Sequence, residues 1–256
     1  MIELEFRDQI ALITINRPQA LNAISFQLLR DLNSRLDEVA TSSARALIVT
    51  GAGTKSFCAG ADIQELRDRS MQEERQGALF GQAVFSKLER LPLASIALVN
   101  GYAFGGGTEL ALSCTFRLAT PNAKFGLPEI KLGLIPGYGG TQRLPRVIGS
   151  ARALEMIMTG RTVAADEARD MGLVNQVLPA SEGCVDQAIK FAQSFTGYGL
   201  RALQLAREAV QRAWDLPMSE GLNMEADLST LAYSTADAKE GMRAFVEKRA
   251  AVFSNR

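Results

Sequence analysis

Up to about residue 195, short runs rich in β-branched and apolar residues alternate with longer segments of helical periodicity, and beyond that point no such run recurs. The run "DQIALITI" (8–15) stops at Arg17-Pro18 and reads as a strand. Ser25 then stands ready to cap a helix in which Leu28, Leu29, Leu32, Leu36 and Val39 recur on one face. "ARALIVT" (44–50) and "ASIALVN" (94–100) are buried strands on either side of a long helix at about 70–90, and a further helix begins at about 106. Shorter strands are expected near 115–120, 123–126 and 174–178. Such alternation implies an α/β fold. In the C-terminal part Leu203, Ala206, Val210 and Ala213 share a helical face, and Leu222–Tyr233 and Met242–Phe253 continue as helices. The expected organisation is a mixed α/β body over 1–195 and an all-helical part over 196–256. No low-complexity linker separates them, so the two are expected to pack together.

The chain of 256 residues is 47% apolar, enough for a sizeable core. It contains no histidine, which excludes Ser-His-Asp and Cys-His catalysis and histidine-ligated zinc. Proton chemistry must use carboxylates, lysine, tyrosine, cysteine or backbone. Lysine plus arginine equals aspartate plus glutamate at 28 each, so no basic excess points to nucleic acid or a membrane surface. No window approaches the roughly 18 apolar residues of a membrane span. The opening "MIELEFRDQIALITI" is acidic and then strand-like, unlike a secretory signal. Cys58, Cys114 and Cys184 are odd in number and widely spaced, and read as buried thiols of a cytoplasmic protein.

Two glycine loops suggest nucleotide binding and fail on spacing. "LIVTGAGTKS" has Ser56 where a third dinucleotide-loop glycine is required, and Thr54 in place of the glycine that precedes Lys-Ser in a P-loop. "PGYGGTQ" has Gln142 in the third glycine position. Both read as ordinary tight loops.

The stretch "NGYAFGGGTELALS" (100–113) sets Gly105, Gly106 and Gly107 at the start of an apolar helix. Glycine at a helix N-terminus lets free N–H groups approach a ligand, the chemistry of an oxyanion site, and it equally serves close helix–strand packing. Glu109 lies one turn further, either buried for a purpose or exposed and complementing the helix dipole. Glu129, in "KFGLPEIKLGLIPGYGG", is a second glutamate among apolar residues, readable as a solvated loop charge or as half of an acid–base pair.

With these residues in view the chain resembles the enoyl-CoA hydratase/isomerase (crotonase) family. The resemblance runs in order through "NRPQALNAIS" (16–25), "SFCAGADIQEL" (56–66), "VNGYAFGGGTELALSC" (99–114), "AKFGLPEIKLGLIPGYGGTQRLPRVIG" (123–149) and "EGMRAFVEKR" (240–249). It implies a crotonase-like spiral of ββα repeats followed by a C-terminal helical region that assembles homotrimers, often paired into hexamers. It implies acyl-CoA thioester substrates and no cofactor, coenzyme A being part of the substrate. Two backbone N–H groups, of Ala61 and Gly106, would hold the thioester oxygen. Ala20, Ala59, Asp62, Ile63 and Gly137 fall in the substrate-contacting motifs, with Gly137 N–H helping to position a water. Lys55 and Lys248 are candidates for CoA phosphates, or ordinary solvated lysines. Glutamate at both acidic positions matches the two-glutamate hydratases, implying syn addition of water to a 2-enoyl-CoA, with Glu109 deprotonating the water and Glu129 protonating the α-carbon. The departures, Cys58 for alanine and Thr108 for cysteine, remove no catalytic group. The competing expectations are a double-bond isomerase, a hydratase for branched or aromatic acyl groups, and a non-catalytic RNA-binding protein, for which a basic stripe is missing.

Overall fold

Strands β1 (Ile2–Arg7) and β2 (Ile10–Ile15) form an antiparallel hairpin in the computed structural model, which describes residues 1–179 and 183–255. The expected strand over 8–15 thus begins two residues late. Asp8 adopts a left-handed conformation (φ +54°), which suits a short polar side chain in a turn. A 3₁₀ turn (Pro18–Ala20) leads to α1 (Phe26–Thr41), where Ser25 Oγ accepts the Leu28 N–H at 3.1 Å. The five apolar residues read from the sequence are the ones this helix buries.

Three strand pairs follow, each trailed by helix or helical turn. They are β3 (Ala46–Gly51) and β4 (Ser56–Cys58), then α2 (Ile63–Leu66) and α3 (Met71–Glu89); β5 (Ala94–Val99) and β6 (Tyr102–Phe104), then α4 (Gly106–Leu112); and β7 (Phe116–Ala119) and β8 (Lys124–Gly126), then a 3₁₀ turn (Pro128–Leu132). The first strand of each pair joins a six-stranded sheet ordered β1-β2-β3-β5-β7-β10, and the second joins a four-stranded sheet ordered β4-β6-β8-β9. Apart from the antiparallel pairs β1–β2 and β8–β9, all pairings are parallel. This two-sheet alternation is the spiral of ββα repeats. Helices α5 (Gly140–Ile148) and α6 (Ser150–Thr159) then lead to β9 (Thr162–Ala164), α7 (Ala165–Asp170), β10 (Gln176–Val177) and α8 (Cys184–Thr196). The three-residue strands β4, β6 and β9 escaped the sequence reading, whereas β8, of the same length, was expected.

The chain divides into two compact units, Met1–Lys190 and the residues from Phe191 onward, the division falling inside α8. The second unit holds α9 (Leu200–Arg212), α10 (Met218–Tyr233) and α11 (Ala236–Val246). On α9 the buried residue is Leu205, and the face that carries Ala206, Val210 and Ala213 is exposed. One expectation fails here. The helix expected over 242–253 ends at Val246, because Lys248 turns left-handed (φ +54°) and the chain doubles back. The return is fixed by Asp237, whose carboxylate accepts the N–H groups of Ser254 (2.6 Å) and Asn255 (2.8 Å), and by Glu240, which pairs with Arg249 at 2.6 Å.

Candidate active site

The site forms where the segment before α1 is stitched to the loop after β4. Ala59 N–H donates to Leu21 O, Ile24 N–H to Gly60 O and Asp62 N–H to Ile24 O. Buried Asn22 ties the same segment to the start of β4 and the loop before it, through Ser56 O (2.7 Å) and Ala52 O (3.1 Å). In this parallel bridge the Ala61 N–H is skipped and, among the described residues, donates to no protein acceptor. The Gly106 N–H opens α4 and likewise has no acceptor there, as the first N–H groups of a helix do. A methyl group built on Gly106 would stand 3.6 Å from the Ala61 nitrogen, so the two donors are neighbours.

The three consecutive glycines have three different reasons. Gly105 adopts φ +49° and lies against Glu129, whose Oε1 would be 2.8 Å from an added Cβ. Gly106 lies among Ile24, Tyr138 and Ala61, and a Cβ there would stand 3.2 Å from Ile24 Cδ1. Gly107 packs so closely on β4 that a Cβ would overlap the Cys58 carbonyl oxygen. Oxyanion chemistry and packing are therefore both present, on adjacent residues.

Glu109 is 2% exposed, so it is not a surface partner of the helix dipole. Its Oε1 accepts the N–H groups of Tyr138 (2.8 Å) and Gly140 (2.7 Å), while Oε2 takes no protein hydrogen bond among the described residues. Burial pushes its pKa up to about 7, further raised by the charge of Glu129 and opposed by the two N–H donors and by Arg143. Glu129, in the 3₁₀ turn, is half-buried, and burial raises its pKa too. Its Oε2 is buried without a hydrogen-bond partner among the described residues. The site thus sets two neutral N–H donors beside two carboxylates that hold protons more readily than usual.

The remaining expected residues are placed unevenly. Asp62 caps α2 through the Gln64 N–H (3.1 Å) and pairs with Arg17 at 2.8 Å, so its carboxylate is engaged in holding the loop. Ala20 closes the first 3₁₀ turn and Ala59 adjoins Gly60; both are half-buried, while Ile63 is exposed at the start of α2. Gly137 offers its carbonyl to Gln82 Nε2 (2.8 Å), and the neighbouring Tyr138 and Gly140 give their N–H groups to Glu109. Lys55 is exposed before β4, at the end of the strand away from the glycines, and Lys248 is exposed in the second unit. Burial pushes the thiols of Cys58 and Cys114 up to about 12, and Cys184 is only half-buried. Thr108 is fully buried and binds Ala103 O at 2.6 Å.

Tyr138, Gly140 and Arg143 were missed by the sequence reading. Arg143 holds the Tyr138 carbonyl (3.0 Å) and bridges to Glu89 on α3 (2.9 Å), which locks the loop that presents the N–H groups. A glycine pair before a helix was the one local signal.

Residues 5–256 match the model of the family described as enoyl-CoA hydratase/isomerase. A short-chain-enoyl-CoA hydratase of Clostridium acetobutylicum is 42% identical, over 96% of this chain and 94% of its own length. A crotonyl-CoA hydratase of Syntrophomonas wolfei is also 42% identical, over 98% and 97%. The crystal structure of an enoyl-CoA hydratase from Bacillus anthracis superposes with a TM-score of 0.94 at 38% identity, covering 100% of this chain and 99% of the other. With residues 5–256 matched by the family model and the fold superposed over the whole chain, the chain belongs to the enoyl-CoA hydratase/isomerase family.

Proposed function

We propose that the protein is an enoyl-CoA hydratase that adds water syn across the double bond of a short 2-enoyl-CoA, such as crotonyl-CoA, to give the 3-hydroxyacyl-CoA. The thioester oxygen accepts the Ala61 and Gly106 N–H groups, which strengthen as it gains enolate charge; losing one such donor costs roughly 10²–10³ in rate. A water lies between the two glutamates. Its oxygen bonds to C3 as its proton passes to Glu109, and the C2=C3 electron pair moves onto the enolate. The enolate then takes the Glu129 proton at C2 on the same face. Returning a proton from Glu109 to Glu129 resets the pair, so the reaction balances with water alone and needs no cofactor.

The observation that carries this reading is the unequal pair of carboxylates. Glu109 has one oxygen fixed by two N–H groups and the other free, and Glu129 has a buried oxygen without a partner. An isomerase moves a proton between carbons with one carboxylate and leaves the second idle. Two relatives are named for short-chain and crotonyl substrates, which favours a short acyl group and a place in fatty-acid or related acyl-CoA degradation.

Exposed apolar residues on the second unit, among them Val210, Trp214, Met218 and Phe245, support a role for the helical region in homotrimers or hexamers. Among the described residues no helix is long and apolar enough to cross a membrane, and the buried free thiols Cys58 and Cys114 fit a reducing, cytoplasmic setting. The test is loss of crotonyl-CoA enoyl absorbance with a product heavier by one water. An unchanged mass, or full activity in Glu129→Gln, would overturn the reading.

A further inference from the structure

Tyr138 does two separate things at the site. Its backbone N–H holds Glu109, and its ring lies across the space beside the two N–H donors. One ring edge faces Gly106, where an added Cβ would be 3.4 Å from Cδ2. The opposite edge rests on the backbone of α3 at Gly81, where a Cβ would come within 2.4 Å of Cδ1. Glycine in the middle of an exposed helix costs about 1 kcal/mol relative to alanine, and here its missing side chain makes room for the ring. Phe85, one turn further along α3, meets the same ring edge-on at 5.6 Å and 79°. Among the charges acting on the hydroxyl, Glu109 is the largest, ahead of Glu74, Arg69 and Glu65 around the start of α3. Tyr138 is 8% exposed and spans from the carbonyl site to α3.

Resting on the hydratase reading, we infer that the Tyr138 ring is the wall that ends the acyl pocket, wedged between Gly106 and Gly81, and so selects short straight 2-enoyl chains. The thioester oxygen sits at Ala61 and Gly106, and C3 sits by the water next to Glu109. A chain continuing past C4 runs into the ring. A crotonyl group ends at that carbon. Longer chains require the ring to leave a contact fixed on both sides, by α3 and by α4.

The test compares kcat/KM for crotonyl-CoA and trans-2-decenoyl-CoA in wild type, Tyr138→Phe, Tyr138→Leu and Tyr138→Ala. All four retain the backbone N–H to Glu109, and the decenoyl-to-crotonyl ratio cancels any general loss of activity. Wild type and Tyr138→Phe are expected to discriminate strongly against the long substrate. In Tyr138→Ala the ratio should rise at least tenfold, since hydrophobic pockets discriminate by about 10–200-fold per methylene misfit. Tyr138→Leu should lie between, and it serves if the alanine variant does not fold. Competitive inhibition by decanoyl-CoA against crotonyl-CoA should tighten in the same order. A wild type that hydrates both chains equally, or a ratio unmoved in both Tyr138→Ala and Tyr138→Leu, overturns the inference and leaves hydration intact. Absence of crotonyl-CoA hydration in wild type would instead overturn the reading on which it rests.

Discussion

Glu109 and Glu129 carry the same carboxyl group in two different kinds of backbone. Glu109 is in α4, every residue of which is buried, and two N–H groups, of Tyr138 before α5 and of Gly140 at its first position, grip one of its oxygens. Glu129 is on a 3₁₀ turn whose neighbours Ile130 and Leu132 are exposed, and its Oε2 has no partner among the described residues. Two N–H donors would normally pull a carboxylate below its usual pKa, yet Glu109 is raised to about 7. Desolvation outweighs hydrogen bonding there. One glutamate is therefore held in place with its proton affinity set by burial. The other has its Oε1 packed against Gly105 and its buried Oε2 without a partner among the described residues.

The largest effects should come from removing either proton carrier. Glu109→Gln and Glu129→Gln are each expected to lower kcat for crotonyl-CoA hydration by about 10²–10⁴. If both act on one water as proposed, the double variant should be little worse than the more damaged single. A double variant that loses the product of the two single effects would mean that the glutamates work independently.

The same contrast has a consequence for stability. A carboxyl raised from 4.5 to about 7 in the fold binds more protons folded than unfolded, so its contribution to stability is lost as pH rises through that window. Replacing Glu109 with glutamine keeps an acceptor for the two N–H groups and removes the buried charge. Relative to wild type, Glu109→Gln should gain up to about 3 kcal/mol at pH 8 and nothing below about pH 4.5, at ~1.36 kcal/mol per pKa unit. Urea unfolding at the two pH values reads the difference. The more exposed Glu129→Gln should gain less, and equal gains would erase the distinction between the two sites.

The long elements were legible because periodicity over many residues records burial: α1 buries the five residues its spacing named. Of the three-residue strands only β8 was legible, since β4, β6 and β9 are defined by their ladders and not by local sequence. The last helix was misplaced because what ends it is tertiary: the Asp237 and Glu240 carboxylates catch a returning chain that "VEKRAAVF" does not announce. Lone spacing likewise left the glycine run and both glutamates ambiguous. Whole-chain resemblance paired Ala61 with Gly106, and the structure does bring these two together. What neither route supplied was the clamp on Glu109, because the N–H groups of Tyr138 and Gly140 are backbone and any residue type brings one.

The smallest expected effect tests that clamp through Arg143, which touches neither glutamate. Its guanidinium holds the Tyr138 carbonyl and Glu89, and its charge lowers the pKa of Glu109. If Glu109 must be ionised to deprotonate water, wild-type kcat/KM rises with pH through about 7, as an apparent value belonging to the coupled pair. Arg143→Gln removes the stabilising charge, so the rising limb should move to higher pH. A shift of about half a unit lowers kcat/KM roughly threefold at pH 6 and leaves it near wild type at pH 9. Arg143→Lys keeps the charge and should restore the limb even where the carbonyl contact is weakened. A uniform loss at all pH values in both variants would assign Arg143 to loop packing alone, and a limb displaced to lower pH would contradict the role given to Glu109.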